Sequence, residues 1–293
     1  MGSDQRELVF IYLCQVYPNT DLGDPAYQRQ FGIKTQRIAL NEIHATARPQ
    51  SWVTEYEDIV VETATMSRAD WRRMVVFAWW TMLMHSLKLG YFVMLYLYDR
   101  LGVKQADLLA HLGDGAFASR AGSLLAAENA AFESMIDRIL SGAGRGYDLP
   151  GYGGIYWDVE EAAFLRIVER IDEFYSELHD VVRGFLTARG IAFDRMELAE
   201  VFRYQRLRIP TRHLSAPLKV GFSRNLPEYF ATRFSSAPRP LVPVPQIVTL
   251  DAVDFAGNRE RFARETILWG RKSGTMLVRA RYESLEFPAL AAE

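Results

Sequence analysis

Residues 8–16 (LVFIYLCQV) are apolar on both faces, rich in β-branched and aromatic side chains, and stop at Pro18-Asn19. That pattern predicts a strand buried on both sides of a parallel sheet. The following DLGDPAYQRQFGI predicts a short helix entered at Pro25 and closed by Gly32. Residues 34–40 read as a second strand, and 58–63 as a third or as extended loop. From Ser67 the pattern becomes helical. Ser67 and Asp70 offer a capping box, and residues 71–100 run without proline to Gly102. About 30 residues at ~1.5 Å each predict one helix of about 45 Å. Shorter helices are predicted over 104–112, 117–140, 159–189 and 195–208. Asp158 and Glu161 supply a second capping box, Gly190 a helix stop, and Pro210 a barrier to further helix.

Beyond Pro210 the texture changes to short strands and turns. Residues 217–222, 245–250 and 275–280 read as extended, and 227–233 and 259–269 as helical. The segment SSAPRPLVPVP is a proline-stiffened connector; its PxxP, Pro240 to Pro243, reads as linker before SH3 ligand. The fold class is mainly α with minor β (α+β), in three stretches: strands and connections over 1–65, a helical, bundle-like middle over 66–215, and a small α/β tail over 216–293.

Composition narrows the function classes. Of 293 residues, 49% are apolar and 24% charged, which excludes disorder as the main state. The net charge of −2 excludes a globally basic nucleic-acid coat. The charge is unevenly spread: residues 203–281 hold 15 basic and 5 acidic side chains, and the remainder 19 basic and 31 acidic. With no dense Lys/Arg run and no reading-head motif, docking of an acidic on a basic part of the protein is the favoured reading over nucleic acid. The apolar run 74–98 raises the question of a membrane span. Lys88 near its middle argues for a buried helix of a bundle instead. The N-terminal residues resemble neither a signal nor a transit peptide, so a cytoplasmic location is the default.

Candidate chemistry is sparse. The single cysteine, Cys14, can form no internal disulfide and no multi-cysteine metal or cluster site. Inside an apolar strand it reads as a small hydrophobe. In Asn41-Glu42-Ile43-His44, an extended backbone points Glu42 and His44 to one face, close enough for a metal or a proton relay; without a third ligand, a structural hydrogen-bonding role is favoured. His85 and Lys88 share a helical face and could line a cleft, or form a satisfied polar notch. Gly142-Ala-Gly144-Arg-Gly146 follows a helix instead of a strand, so it reads as a flexible loop and not a phosphate cradle. No Ser-His-Asp or nucleophile-elbow spacing occurs. These residues alone name no activity.

Several longer strings say more. VYPNTDLGDPAYQRQFGI (16–33), WVTEYEDIVVETATMSRADWRRMVVFAW (52–79), LAEVFRYQRLRIP (198–210), NLPEYF (225–230) and FARETILWGRKSG (262–274) run in order across nearly the whole chain. Together they resemble the C-terminal half of the cobalamin-binding radical SAM proteins. The resemblance implies that 8–16 is a late strand at the edge of a partial (β/α) barrel, with the remainder packed against it as a C-terminal extension. For the complete enzyme it implies a 4Fe-4S cluster, S-adenosyl-L-methionine and cobalamin, with methyl transfer or other carbon-radical chemistry. The CxxxCxxC motif that holds such a cluster is absent from these 293 residues, as is a Rossmann-like cobalamin domain. The chain alone is therefore expected to bind none of these cofactors and to be inactive. Its expected partner is a missing N-terminal radical SAM and cobalamin-binding portion, in cis or as a separate subunit, with self-association possible in its absence. The family motifs matched here include no catalytic residue. Asn19, Glu42 and His44, near the expected barrel end, are the candidates for substrate-facing positions. The alternative is a free-standing helical interaction module without enzymatic activity.

Overall fold

The computed structural model describes residues 9–46, 49, 51–115, 122–211, 213–271 and 276–284. They are mainly helical with minor β. The first sheet comprises β1 (Gln15–Val16), β2 (Lys34–Ala39) and β3 (Tyr56–Glu62) in the order β1-β3-β2, with both pairings antiparallel. Between its first two strands α1 (Pro25–Phe31) is entered as the sequence predicts: Asp24 accepts from the Ala26 and Tyr27 amides, Pro25 takes the first turn, and Gly32 closes the helix at φ 60°. Only the left-handed conformation at Gly32 requires glycine here, and a Cβ would also press on Ala64.

The expected doubly buried parallel strand over 8–16 is not what forms. Leu8 lies outside the described residues, and only Gln15 and Val16 pair, antiparallel, with Ile59 and Asp58. Residues 9–14 run over the helical layer instead. Val9 exchanges two hydrogen bonds with the Ser86 hydroxyl, and the Ile11 amide points at Met82 Sδ. Phe10, Ile11 and Tyr12 are left exposed, Tyr12 at 70%, and Cys14 is exposed as well. A strand of this composition needs a neighbour on each edge and cover on each face; here it has one neighbour, and that only at its end.

The middle of the chain is helical. α2 (Arg68–Thr81) starts at the predicted box, with Ser67 and Asp70 each satisfying the other's backbone amide. The predicted 45 Å helix over 71–100 is broken. The winding widens to a π-turn over Met82–Ser86, Lys88 takes a left-handed φ of 64°, and α3 (Tyr91–Leu101) begins after Gly90. A Cβ at Gly90 would lie 2.3 Å from Met84 Cε, so a larger residue there would make the Met84 side chain shift. Gln205 satisfies the broken backbone by donating to the Lys88 carbonyl (2.7 Å) and accepting from the Phe92 amide (2.8 Å). The shared helical face expected for His85 and Lys88 is lost with the break. Lys88 is buried with Nζ 4.0 Å from the Tyr91 ring centre, while His85 lines a separate cavity of about 680 Å³ beside Tyr91.

α4 (Gln105–Gly113) and α5 (Leu124–Leu140) follow. The predicted start of α5 at Phe117 lies outside the described residues, and the observed helix starts after Ser123, whose hydroxyl caps Ala126. A two-stranded ribbon, β4 (Tyr147–Asp148) with β5 (Tyr156–Trp157), precedes α6 (Val159–Val168) and α7 (Ile171–Ala188). One helix was expected over 159–189; Arg170 leaves helical geometry and divides it. α8 (Arg195–Arg208) has the predicted bounds, capped by Asp194. Trp79 and Trp80 pack on Phe132 of α5 at centroid distances of 5.5 and 5.4 Å, in a buried core that also takes in Trp157, Phe164 and Phe174.

The remaining elements are β6 (His213–Leu214), β7 (Leu218–Phe222), α9 (Leu226–Thr232), β8 (Gln246–Leu250), β9 (Val253–Asp254), α10 (Arg259–Ala263) with a π-wound continuation over Arg264–Gly270, and β10 (Ala280–Ser284). The strand expected over 275–280 forms later, from Ala280; Thr275 lies outside the described residues. β7, β8 and β10 make an antiparallel sheet. The basic part of the chain does dock on the acidic part: Arg206 meets Asp172 (2.6 Å), Arg224 meets Asp194 and Glu197 (both 2.7 Å), Arg233 grips Asp99, and Arg259 lies 3.4 Å from Glu169. Among the described residues no helix is long and apolar enough to cross a membrane.

Candidate functional site

The box that starts α6 does more than cap a helix. Asp158 accepts from the Val159 amide, and the Glu161 carboxylate returns to the Asp158 amide at 3.2 Å. Capping therefore fixes the first turn, and the first turn carries Glu160 and Glu161 inward, both almost fully buried. The positive end of the helix dipole favours carboxylates there. His44 arrives from the other side. Ile43 bridges Tyr156, and the His44 amide donates to the Tyr156 carbonyl at 2.7 Å, with His44 at φ 69°. This puts His44 Nε2 2.6 Å from Glu161 Oε2, with the ring edge-on to Trp157. Arg271, one residue past the π-wound continuation of α10, completes the cluster: its Nη1 donates to Glu160 Oε1 (3.2 Å) and to Glu161 Oε1 (3.0 Å).

The cluster forms one end of a cavity of about 550 Å³. Trp71, Val75, Ala78, Trp79 and Met82 make an apolar wall, and residues 10–14 run along the rim. Phe10 lies over the Arg271 guanidinium, ring centre to Cζ 4.5 Å. Arg145 also lines the space, 3.8 Å from Asp158 Oδ2. It is carried by the glycine loop 142–146, which is docked and not the flexible connector expected: Gly142 O accepts from the Ala39 amide, Asn41 donates to Arg145 O, and a Cβ at Gly144 would meet Ala39 O at 2.5 Å.

The two glutamates are driven apart. Burial raises Glu160, the nearby charges of Asp158 and Glu161 raise it further, and Arg271 opposes them only in part, leaving it at about 8. For Glu161 burial also pushes upward, but the hydrogen bond and charge of His44, then Arg271 and the Asp158 amide, outweigh it and hold this carboxyl below its ordinary value. At neutral pH the site thus contains a protonated carboxylic acid beside an ionised carboxylate, the separation used when one acid must donate and another accept.

Comparison with protein-family models and with curated proteins gives no match. The site therefore rests on its own geometry.

Of the three candidates read from the sequence, only His44 reaches it. Glu42 lines a separate small cavity of about 180 Å³ with Asn41, Trp52 and Glu55, because the chain turns at His44 and the expected shared face is lost. Asn19 sits exposed in the turn after β1, where the Thr20 amide bonds to Tyr17 O. Glu160, Glu161, Arg145 and Arg271 were not singled out as site residues. The DVEE string was legible only as a cap, and Arg271 lies 110 residues from Glu161. Among the described residues no three His, Cys, Asp or Glu side chains could hold a metal ion.

The raised Glu160 has a consequence for stability. The folded state keeps a proton that the unfolded chain releases between pH 4.5, the ordinary value for this group, and about 8. Stability from this group is thus fully present below about pH 4.5 and is lost as pH rises through about 8. Glu160→Gln, which mimics the protonated form, is expected to match the parent at pH 5 and to exceed its stability by about 1–3 kcal/mol at pH 8. Urea unfolding at the two pH values measures this. A parent protein at least as stable at pH 8 as the variant would contradict the assignment.

Proposed function

We propose that the chain is the C-terminal region of a cytoplasmic, cobalamin-dependent radical SAM enzyme, one that acts in methyl transfer or other carbon-radical chemistry. On this reading it supports the barrel and lines the substrate end but is not catalytic alone. The observation that carries the reading is the strip over 9–14. It runs along the mouth of the cavity, and Phe10, Ile11 and Tyr12 keep much of their apolar surface exposed, Tyr12 at 70%. Apolar residues in an extended segment with one short backbone pairing suit a late barrel strand whose neighbours lie upstream. The resemblance in the strings 16–33, 52–79, 198–210, 225–230 and 262–274 points the same way.

The donor set of this chain does not fit the family's cofactors. One cysteine cannot supply the three thiolates of a 4Fe-4S cluster. The sheets of the described residues pair antiparallel, unlike the parallel layer of a Rossmann-like cobalamin domain. The reading accordingly leaves the cluster, S-adenosyl-L-methionine and cobalamin to an upstream portion, and no chemical step is assigned to this chain.

The test joins this chain, in cis or by co-expression, to the neighbouring upstream coding sequence. That sequence is expected to carry CxxxCxxC. The isolated chain is expected to self-associate, and the joined species to be monodisperse, to hold a four-iron cluster and to form 5′-deoxyadenosine. Tyr12→Asp should weaken association of co-expressed parts by about tenfold or more, as for a central aromatic contact. A stable monomer with no upstream CxxxCxxC would favour the free-standing helical module.

A further inference from the structure

Four buried side-chain polar atoms among the described residues have no hydrogen-bond partner: Glu160 Oε2, Thr266 Oγ1, Arg271 Nε and Arg271 Nη2. Glu160 and Arg271 both line the cavity, and Thr266 lies on the π-wound turn that leads to Arg271. Buried polar groups are normally satisfied, and orphans gathered at a cavity wall call for an occupant. We propose that this cavity is a binding site for a carboxylate carried on an apolar body, with the carboxylate on the Nε–Nη2 edge of Arg271 and the body against Trp71, Trp79 and Met82.

The arrangement of the guanidinium selects the ligand's charge. Nη1 is committed to Glu160 and Glu161, and Phe10 covers one face of the plane. What is left unpaired is the Nε–Nη2 edge, a planar fork with three N–H donors and the geometry a carboxylate accepts bidentately; its atoms have almost no accessible surface, so the ligand reaches it by displacing the side chains that cover it. The carboxylates already present do not compete for it. Glu161 is engaged by His44 and by Nη1, and Asp158 is committed to its helix cap and faces Arg145. Glu160, protonated at neutral pH, can add a donor from Oε2. An ammonium ligand would instead find one unpartnered carboxyl oxygen and an adjacent like charge. The volume, about 550 Å³, suits a small organic molecule, and the apolar wall rewards an aliphatic or aromatic body over a bare inorganic ion. The proposal deepens the reading of the cavity as the substrate end and rests on that reading only for the ligand's biological role; the binding itself belongs to this chain.

The probes are 4-phenylbutyrate, its uncharged amide and inorganic phosphate, applied to the full chain. Binding is read by tryptophan fluorescence and by protection of Cys14, an exposed thiol on the cavity rim, from iodoacetamide. The acid is expected to bind saturably and to slow Cys14 alkylation, with the amide at least about tenfold weaker, the discrimination of one charge-assisted hydrogen-bonded pair. Phosphate is expected to leave both signals unchanged. Arg271→Gln should erase the acid-over-amide preference; should that variant fail to fold, the comparison on the parent protein decides alone. Equal binding of acid and amide, no protection of Cys14, or tighter binding of phosphate would each overturn the proposal. Association with an upstream portion can succeed or fail without altering this result, so the two readings fail separately.

Discussion

Arg271→Met is expected to lower the free energy of unfolding by about 3–5 kcal/mol at pH 7, the cost of stranding a buried charge after its partner is removed. Arg271 is 5% exposed, and the carboxylates it bridges are 2% and 3% exposed, so water cannot replace the guanidinium without opening the wall. Methionine roughly keeps the apolar volume and supplies no donor. Glu161 then retains only His44 and its cap amide. The loss should be larger at pH 8 than at pH 5, because without the cation both folded carboxyls hold their protons to higher pH while the unfolded chain releases them. Adding Glu161→Gln to Arg271→Met should recover part of the loss, since the second change removes the stranded charge. Urea unfolding with a constant slope reads both effects. A loss below about 1 kcal/mol would show that the carboxylates are not sealed in with the arginine as described.

The parts of this fold that were legible in the sequence are those fixed by local chemistry. Ser67 with Asp70, and Asp158 with Glu161, announced two helix starts because a capping box needs only residues three apart. Pro210 behind marked the end of α8, and the observed bounds match the predicted ones. The break inside 71–100 was not legible. Around it nearly every residue is buried, so no polar face marks a phase that the π-turn could interrupt, and Gly90 is the single local signal. Residues 8–16 misled for a related reason: composition records what a strand needs around it, and not whether those neighbours are present. The site was hidden by distance along the chain. His44 and Glu161 are 117 residues apart, and nothing near either one signals the other. The string FARETILWGRKSG includes Arg271, yet a string cannot say that this arginine faces a cavity.

Gln205→Leu is expected to cost about 1–3 kcal/mol, and it separates a broken helix from a continuous one. Gln205 is fully buried and close to leucine in size, so the substitution keeps the packing and removes two hydrogen bonds. Its Nε2 donates to the Lys88 carbonyl and its Oε1 accepts from the Phe92 amide, the two backbone groups flanking the turn at Gly90. Phe92 is the second residue of α3, where an amide has no partner within its own helix, and Lys88 sits at a left-handed φ where helical bonding has ended. The Phe92 amide is the group left without a partner, at about 1–3 kcal/mol, because the Lys88 carbonyl also accepts from the Tyr91 amide at 3.5 Å. Tyr175 still donates to the Leu89 carbonyl at 2.9 Å, so the turn is weakened and not dismantled. Hydrogen exchange gives the local readout: the Phe92 amide should lose protection in the variant while amides in the middle of α5 keep theirs. In an unbroken helix the Lys88 carbonyl and the Phe92 amide would bond to each other, the pairing of residues four apart. Gln205→Leu would then remove a buried polar side chain at little cost. Retained protection at Phe92 with stability unchanged is therefore the result that would restore a continuous helix over 71–100.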